Sequence, residues 1–333
     1  MIIKSIKLTN FRNHTHYHLE CKDQTSLILG ENGCGKTSVL EAIYILTRGK
    51  SFRATDPDIL KRGSEYYRIE LEYHNGDQIA ATYDGNTKTF TKVDQKSKRL
   101  PKKHKYPVVL FLPSDLNLIS HAPSRRRDYF DRIFSELDEN YATNLTKYKK
   151  ALRQRNEILK KDNLTPDMLF SWNLLLAKYG TALCATRNNL IDTINQNLTT
   201  TYHSIAKNSD EVNIVYQSEA TGYTEQKYLS VLEQNFSRDI AIGHTSFGVH
   251  RDDYLFKFNH QPADGSASRG ETRSIILALK FIEAGLIEQK TSLKPLILLD
   301  DVFSELDDSR RQCLVDNFKD HQVIITSVED INN

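Results

Sequence analysis

The sequence predicts an α/β fold in which a core of parallel strands and helices is interrupted by an antiparallel β-meander and by an inserted helical lobe. Three observations predict it. A glycine-rich loop between an apolar run and a helical pattern lies near the start of the chain. An apolar run that ends in two acidic residues lies near its end. Alternating patterns and then helical patterns fill the long stretch between them.

The composition of the 333-residue chain is typical of a globular protein with one large or two ordinary domains. No apolar run approaches the roughly 18 residues that a membrane span needs, and the first residues lack the core of a signal peptide. Its four cysteines, Cys21, Cys34, Cys184 and Cys313, show no metal-ligand spacing. We therefore expect a cytoplasmic protein with no membrane partner, disulfide framework or zinc site.

The first motif is a complete G-x-x-x-x-G-K-T phosphate loop. It follows residues 25–29, which predict a buried strand, and precedes residues 38–46, which predict an amphipathic helix. Its glycines allow backbone N–H groups to turn toward a phosphate at a helix N-terminus. Lys36 is expected to act in catalysis at the β- and γ-phosphates, and Thr37 to ligate Mg²⁺. The predicted ATP-binding residues of this loop are Gly30, Glu31, Asn32, Gly33, Cys34, Gly35, Lys36, Thr37 and Ser38.

Alternating apolar and polar residues on both sides of this loop predict antiparallel strands. Residues 1–9 and 17–21 predict two strands, and residues 67–73 and 78–83 predict a hairpin. A β-meander therefore decorates the core. Arg12, between the first two strands, is interpreted either as a phosphate contact or as a surface arginine at a turn.

Helical periodicity replaces the alternation in the middle of the chain. An apolar strand at 106–112 is followed by a helical stretch over 123–206, in which Thr165 and Pro166 predict an N-cap and a first helical position. No sustained heptads occur, which excludes an extended coiled coil. We expect three segments: a head half with the phosphate loop and β-meander at 1–115, a mainly helical second lobe at 116–240, and a second head half at 241–333.

The end of the chain carries a Walker B pattern. The apolar run 296–299 predicts a strand inside a parallel sheet, and it ends in Asp300 and Asp301. We expect Asp300 to hold Mg²⁺ through its water shell and Asp301 to orient or deprotonate the attacking water. The alternative for Asp301 is a place in a helix N-cap region. About 260 residues separate the phosphate loop from Asp300, which is the layout of an ABC-type ATPase head.

A short polar stretch, Ser268-Arg-Gly-Glu271, opens a predicted buried helix over 273–288. Ser268 and Glu271 form a capping-box pattern, but a capping box does not explain Gly270, which costs about 1 kcal/mol inside a helix. A serine and a glycine at a helix N-terminus are also what a second phosphate-binding surface needs. We expect both roles, with Ser268 and Gly270 as the ABC signature that binds ATP across a dimer. Residues 304–307 are interpreted either as a capping element or as the D-loop of that dimer.

Two polar features bear on nucleic acid. The run from Lys92 to Lys105 has seven basic residues against one acidic residue, Asp94, and such runs either neutralise phosphates or form solvated loops. The segment His250–Asp253 cannot ligate one metal ion, because adjacent side chains of a strand point to opposite faces. We expect a solvated polar turn there, with His250 or Arg251 near DNA or nucleotide. The candidate DNA-binding residues are Lys102, Lys103, Lys105, Arg125, Arg126 and Arg127.

Taken in order, these motifs resemble the RecF family of bacterial DNA replication and repair ATPases over essentially the whole chain. The phosphate loop is generic, but the proline-serine-arginine and His-Arg-Asp-Asp stretches are more specific. The resemblance implies an ATP-dependent homodimer on double-stranded DNA and single/double-strand junctions, with weak DNA-stimulated hydrolysis. It also implies recombinase loading at gaps with RecO and RecR. The matching stretches are 8–12, 30–37, 49–53, 122–127 with 130–131, 248–253 and 299–307.

The sequence departs from the family pattern at four places. The signature has Arg269 and Glu271 where the family typically has glutamines, and Val249 replaces a usual proline. Residues 112–116 contain no glutamine of the ABC Q-loop kind. Ser327 stands where many ABC heads have a switch histidine, so positioning of the water is expected to depend on Asp301 alone.

Two other function classes compete with this hypothesis. The first is an ABC-head ATPase of a defence or signalling system that acts on a protein partner. The second is a small-molecule phosphotransferase, which the long separation of the two nucleotide motifs opposes. Salt-sensitive binding to duplex DNA distinguishes the first from a repair protein, and analysis of the phosphorylated products distinguishes the second.

Overall fold

A computed structural model of the protein describes residues 2–92 and 95–328. Its chain forms two compact units, residues 1–115 with 283–333 and residues 116–282. The division expected from sequence differs from these units over 241–282, because strand residues 253–258 pair with residues 212–217 of the second unit. Asp94 of the basic run and the last five residues lie outside the described part of the chain.

The elements alternate in type along the chain. The strands are β1 (Ile3–Phe11), β2 (His14–Glu20), β3 (Thr25–Leu29), β4 (Tyr67–Tyr73), β5 (Gln78–Tyr83), β6 (Lys88–Lys92), β7 (Gln95–Ser97), β8 (Val108–Phe111), β9 (Val212–Gln217), β10 (Asp253–Phe258), β11 (Gln261–Pro262), β12 (Leu296–Asp300) and β13 (Val323–Ser327). The helices are α1 (Lys36–Arg48), α2 (Asp56–Ile59), α3 (Pro123–Leu137), α4 (Glu139–Ile158), α5 (Asp167–Ala206), α6 (Glu225–Gln234), α7 (Phe236–Ile242), α8 (Ala263–Ser266), α9 (Arg269–Thr291) and α10 (Asp308–Phe318).

The first unit contains two sheets. The antiparallel sheet has the order β2-β1-β4-β5-β6-β7, and residues of β4 alternate between buried and half-buried, as its sequence predicts. The parallel sheet has the order β3-β13-β12-β8. Every residue of β12 and β13 is buried, which explains why their sequences are continuous apolar runs rather than alternating ones. The predicted β-meander and the predicted parallel core are both confirmed.

Helix α1 lies between these two sheets and contacts strands of both. The predicted amphipathic pattern is present, but its polar residues Ser38, Glu41 and Thr47 are buried as well, because the antiparallel sheet covers the side that would otherwise face water. The helix that carries the phosphate loop is therefore part of the core of the first unit.

The second unit is mainly helical. The 40-residue helix α5 contacts α4, α6 and β9, and a small sheet has the order β11-β10-β9. The predicted helical stretch is confirmed, although α5 begins at Asp167, directly after Pro166, rather than with Thr165 as its cap. Within residues 2–92 and 95–328, no helix is long and apolar enough to cross a membrane.

A buried ionic cluster holds the second unit together. Arg187 of α5 donates to Asp131 of α3 at 2.8 Å and to Asp252, before β10, at 2.9 Å. Tyr141 and Tyr216 bind the same carboxylates. We call these five residues the Arg187 cluster. Since the Arg187 side chain is only 2% exposed, the two carboxylates supply the charge that its burial requires.

Candidate nucleotide site

The phosphate loop joins β3 to α1, and hydrogen bonds from its lysine connect the end of the loop to its beginning. The Nζ atom of Lys36 donates to the carbonyl oxygens of Gly30 at 2.6 Å and of Glu31 at 3.2 Å. Gly35, at the N-cap of α1, has φ 106°, a left-handed conformation that favours glycine. A side chain at Gly30 would place its Cβ 2.6 Å from the Sγ of Cys34. The loop thus directs an ammonium group and a helix N-terminus toward one point, which fits a phosphate chain.

The two predicted magnesium ligands lie together. The Thr37 hydroxyl donates to Oδ1 of Asp300 at 2.7 Å, and the Thr326 hydroxyl donates to the same oxygen at 3.0 Å. Burial raises the pKa of Asp300, while these two hydrogen bonds oppose the rise. A hydroxyl and a carboxylate are oxygen ligands of the kind that Mg²⁺ takes, directly or through water. The donor set therefore fits Mg²⁺ bound with a nucleotide.

Asp301 is held in an unusual backbone conformation. Its φ is 47°, a left-handed value that is uncommon for a residue other than glycine, and its N–H donates to the backbone and side chain of Thr326. Its Oδ2 lies 3.8 Å from Nζ of Lys36, and its Oδ1 is buried without a hydrogen-bond partner in the described chain. Asp301 does not cap a helix, since Val302 and Asp307 occupy the N-cap positions that follow. A free carboxylate oxygen beside Lys36 fits the binding of a water molecule at the phosphates.

A buried carboxylate joins two arginines beside the loop. Glu41 of α1, whose side chain is fully buried, accepts hydrogen bonds from Arg12 at 2.8 and 2.9 Å, from Arg53 at 3.0 and 3.1 Å, and from Ser51 at 2.6 Å. We call these four residues the Glu41 cluster. Arg12 and Arg53 line the same cavity of about 720 Å³ as Lys36. Arg12 is thus a residue of the candidate site, and its contact with a phosphate stays a prediction.

The signature stretch forms the capping box at the start of α9. The Ser268 N–H donates to Glu271 at 2.6 Å, and the Glu271 N–H donates to the Ser268 hydroxyl at 3.3 Å. Ser268 and Gly270 belong to the second unit, where Ser268 is exposed and Gly270 is half-buried. In the stretch 304–307, Asp307 caps α10 by accepting from the N–H of Arg310. The capping role of both stretches is present, and the nucleotide and dimer roles stay predictions.

The expectation of a solvated polar turn at 250–253 is wrong for Asp252, which is buried, and for His250, which is half-buried. Asp252 belongs to the Arg187 cluster, and His250 bonds to the hydroxyl of Tyr148 at 2.8 Å and to the carbonyl oxygen of Thr245 at 3.0 Å. Burial lowers the pKa of His250 to about 4. Arg251 is the exposed residue of this segment. Asp252 is buried because it supplies a carboxylate that the buried guanidinium of Arg187 needs.

The candidate DNA-binding residues differ in exposure. Lys102, Lys103 and Lys105 are exposed, in and after a 3₁₀ turn of the first unit, and Arg125 is exposed on α3 of the second. Arg126 is buried, and its guanidinium donates twice to Asp253, each time at 2.7 Å. The structure contradicts a DNA contact by Arg126, because a buried and paired guanidinium does not face solvent. Arg127, partly buried, donates to the backbone oxygen of Asp252.

Comparison with known proteins identifies the family. Residues 1–284 match a family model described as an AAA ATPase domain. The DNA replication and repair protein RecF of Lachnoclostridium phytofermentans is 34% identical, over all of this chain and 95% of its own length. That of Clostridioides difficile strain 630 is 33% identical, over 99% of this chain and 92% of its own. This chain belongs to the RecF family.

Solved structures agree with this assignment to the RecF family. A RecF described as a recombination mediator protein with ATP in the RecFOR pathway is 29% identical, with a TM-score of 0.87 over all of this chain and 93% of that one. An SMC head bound to the C-winged helix domain of ScpA has a TM-score of 0.54 at 14% identity, over 99% of this chain and 90% of that one, which shows the fold alone. The predicted ABC-type head with a β-meander and a helical lobe is confirmed.

Within this RecF-family site, sequence reasoning missed the partners that hold the arginines. Glu41 received no role, and Arg53 was noted only as part of a matching stretch. The available signal for Glu41 is a single charge within the largely apolar stretch 38–46, which α1 then buries. Arg187 gives the same signal in α5. A charge inside a buried helical pattern indicates a partner of opposite charge, although it does not say where that partner lies.

Proposed function

We propose that this chain is an ATP-dependent DNA-binding protein of recombinational repair and replication restart, which hydrolyses ATP slowly. The observation that carries the proposal is the meeting of Lys36, Thr37 and Asp300 at the start of α1. Thr37 and Asp300 would hold Mg²⁺, which would supply positive charge to offset the negative charge of the phosphates. The phosphate loop would hold the phosphate chain, and Asp301 would hold the attacking water. Membership of the RecF family favours this function over a defence or signalling ATPase.

Slow hydrolysis follows from the groups beside the phosphates. Asp301 is one methylene shorter than the glutamate common in fast ATPases, and its backbone is held in a left-handed conformation. Ser327, at the end of β13, offers no imidazole. A site that binds ATP with many groups but activates water with one carboxylate is suited to a switch, in which the bound nucleotide sets the state of the protein.

The proposed switch is an ATP-dependent homodimer. Ser268 and Gly270 lie at the N-terminus of the 23-residue helix α9, where partial positive charge favours a phosphate. We propose that they contact the γ-phosphate bound by a second copy of the chain, with residues 304–307 at the same interface. RecO and RecR are the partners that RecF-family membership suggests, and recombinase loading at gaps is the process.

The proposed DNA ligand is a duplex or a single/double-strand junction, contacted by Lys102, Lys103, Lys105, Arg125 and Arg127. Each neutralised phosphate contributes a slope of about −0.9 to the dependence of log K on log salt concentration. Replacing the three lysines with glutamine should therefore reduce the slope by up to about 2.7. The exposed pair Lys160 and Lys161, replaced in the same way, is the matched control.

Equilibrium binding to a labelled duplex at several salt concentrations, with ATP, ADP or no nucleotide, tests the proposal. We expect tight binding with ATP and a shallower salt dependence for the triple-lysine variant. Binding that ignores the nucleotide, or no binding at all, would contradict the DNA function. Unchanged salt dependence in the triple-lysine variant would contradict only the assignment of these three residues.

A further inference from the structure

In the Glu41 cluster, two guanidinium groups donate hydrogen bonds to one buried carboxylate. Arg12 lies in the turn between β1 and β2, and Arg53 lies in the segment between α1 and α2. Burial raises the pKa of Glu41, but hydrogen bonds from Arg12, Ser51 and Arg53 outweigh it, so that the net pKa lies below its ordinary value. Glu41 is therefore a carboxylate that stays charged in the core of the first unit.

The backbone around Arg12 limits its movement as well. Its φ is 57°, and its N–H donates to the carbonyl oxygen of Ile59 at 2.8 Å. The side chain then bonds through Nε and Nη2 to both oxygens of Glu41, a planar two-point contact that fixes the guanidinium orientation. Without Glu41, two positive groups that line one cavity would repel each other.

Both arginines line the cavity that Lys36, Thr37 and Asp301 also line. Nη2 of Arg53 is 3.4 Å from the hydroxyl of Ser38, the residue after Thr37. Because Lys36 and Thr37 would hold the β- and γ-phosphates and Mg²⁺, the terminal phosphates would lie in the cavity that the arginines line.

We propose that Glu41 is a positioning residue that holds Arg12 and Arg53 against the terminal phosphate and so makes the site favour a nucleoside triphosphate over a diphosphate. The inference rests on the proposed ATP-binding function. Glu41 has two effects on nucleotide binding. The negative charge of Glu41 weakens the binding of every phosphate. The orientation that Glu41 gives to the two guanidinium groups strengthens the binding of the terminal phosphate alone.

The ratio of the Kd for ADP to the Kd for ATP is therefore the informative quantity. Fluorescent ATP and ADP would be titrated into the full chain and into Glu41→Gln. We expect the ratio to fall about tenfold, since one charge-assisted hydrogen bond to the terminal phosphate corresponds to about that factor. Arg53→Lys, which keeps the charge but loses the planar fork, should lower the ratio as well. Adding Glu41→Gln to Arg12→Lys with Arg53→Lys should lower it no further.

Asp239→Asn is the matched control. Asp239 is also fully buried and pairs with a guanidinium, that of Arg155, at 2.7 Å, but it lies in the second unit. It should lower stability and leave the ratio within about twofold of the wild-type value. An unchanged ratio in Glu41→Gln, or an equal fall in Asp239→Asn, would overturn the inference while ATP binding by the wild type stands.

Two further outcomes complete the test. If Glu41→Gln does not fold, Arg53→Lys decides alone, and an unchanged ratio there overturns the inference. If the wild-type chain binds neither nucleotide, the proposed function fails and the inference fails with it.

Discussion

Thr37 and Asp300 share a hydrogen bond of 2.7 Å although 263 positions separate them in the chain. The bond joins the first turn of α1 to the end of β12. Thr326 of the neighbouring strand β13 donates to the same carboxylate oxygen at 3.0 Å and holds it from the other side. These hydrogen bonds thus bring two distant parts of the sequence together at the oxygen atoms that we propose as Mg²⁺ ligands.

Replacing Asp300 with asparagine should weaken the binding of Mg²⁺ at the nucleotide site. The amide oxygen can still accept from Thr37, so the local fold should persist, but the negative charge is lost. We expect the Mg²⁺ concentration for half-maximal ATP hydrolysis to rise about 10- to 100-fold, the range found for groups that act on a metal through its ligands. Hydrolysis measured over a Mg²⁺ titration checks this. Asp316→Asn, on the exposed face of α10, is the control, and an equal shift there would contradict the assignment.

Ser268→Asp should separate the capping role of Ser268 from its proposed phosphate role. Aspartate caps helices about as well as serine, so the variant should keep the stability that Ser268→Ala loses, about 1 kcal/mol. Its negative charge would repel a γ-phosphate. Light scattering should therefore find a monomer with ATP, while ATP affinity stays near the wild-type value. A variant that still dimerises with ATP would remove Ser268 from the composite site.

The stability of the second unit should fall between pH 7 and pH 5 because of His250. Burial lowers its pKa to about 4 in the folded state, against an ordinary value of 6.5. The unfolded chain therefore binds the proton first as the pH falls, and protonation favours unfolding. The expected loss is about 2 kcal/mol at pH 5. Urea unfolding followed by Trp172, the single tryptophan, measures it. In His250→Gln the free energy of unfolding should not show this fall of about 2 kcal/mol. In His244→Gln, a substitution at an exposed position, the fall should remain.

Removing the charge of Arg187 should destabilise the second unit strongly. Arg187→Met leaves Asp131 and Asp252 buried without their shared guanidinium, which costs about 3–5 kcal/mol. The same tryptophan-detected urea unfolding measures the change. Changing both aspartates to asparagine in the Arg187→Met background should recover part of it. Arg125→Met, at an exposed position, should change the free energy of unfolding by less than about 0.5 kcal/mol. A small effect of Arg187→Met would show that the cluster adds little stability.

Strands in which apolar and polar residues alternate could be predicted from the sequence, because the alternation itself shows which face is buried. The bounds of β4 and β5 agree with the predicted ones for this reason. The phosphate loop and the end of β12 were recognisable since their chemistry is local. The burial of Asp252 was not, because its partner Arg187 is 65 positions away. Arg126 looked solvated within a run of three arginines, but its place on α3 turns it inward.

The order β3-β13-β12-β8 also constrains when the nucleotide site can exist. The strand that leads into the phosphate loop pairs with β13, whose residues lie about 300 positions later. At a synthesis rate of about 5–20 residues per second, the loop leaves the ribosome roughly 15–60 s before its sheet can close. The second unit, which is contiguous over 116–282, ends before β13 begins at Val323. The nascent chain therefore acquires its nucleotide-binding site as one of its last events, and until that moment ATP has no folded site to bind.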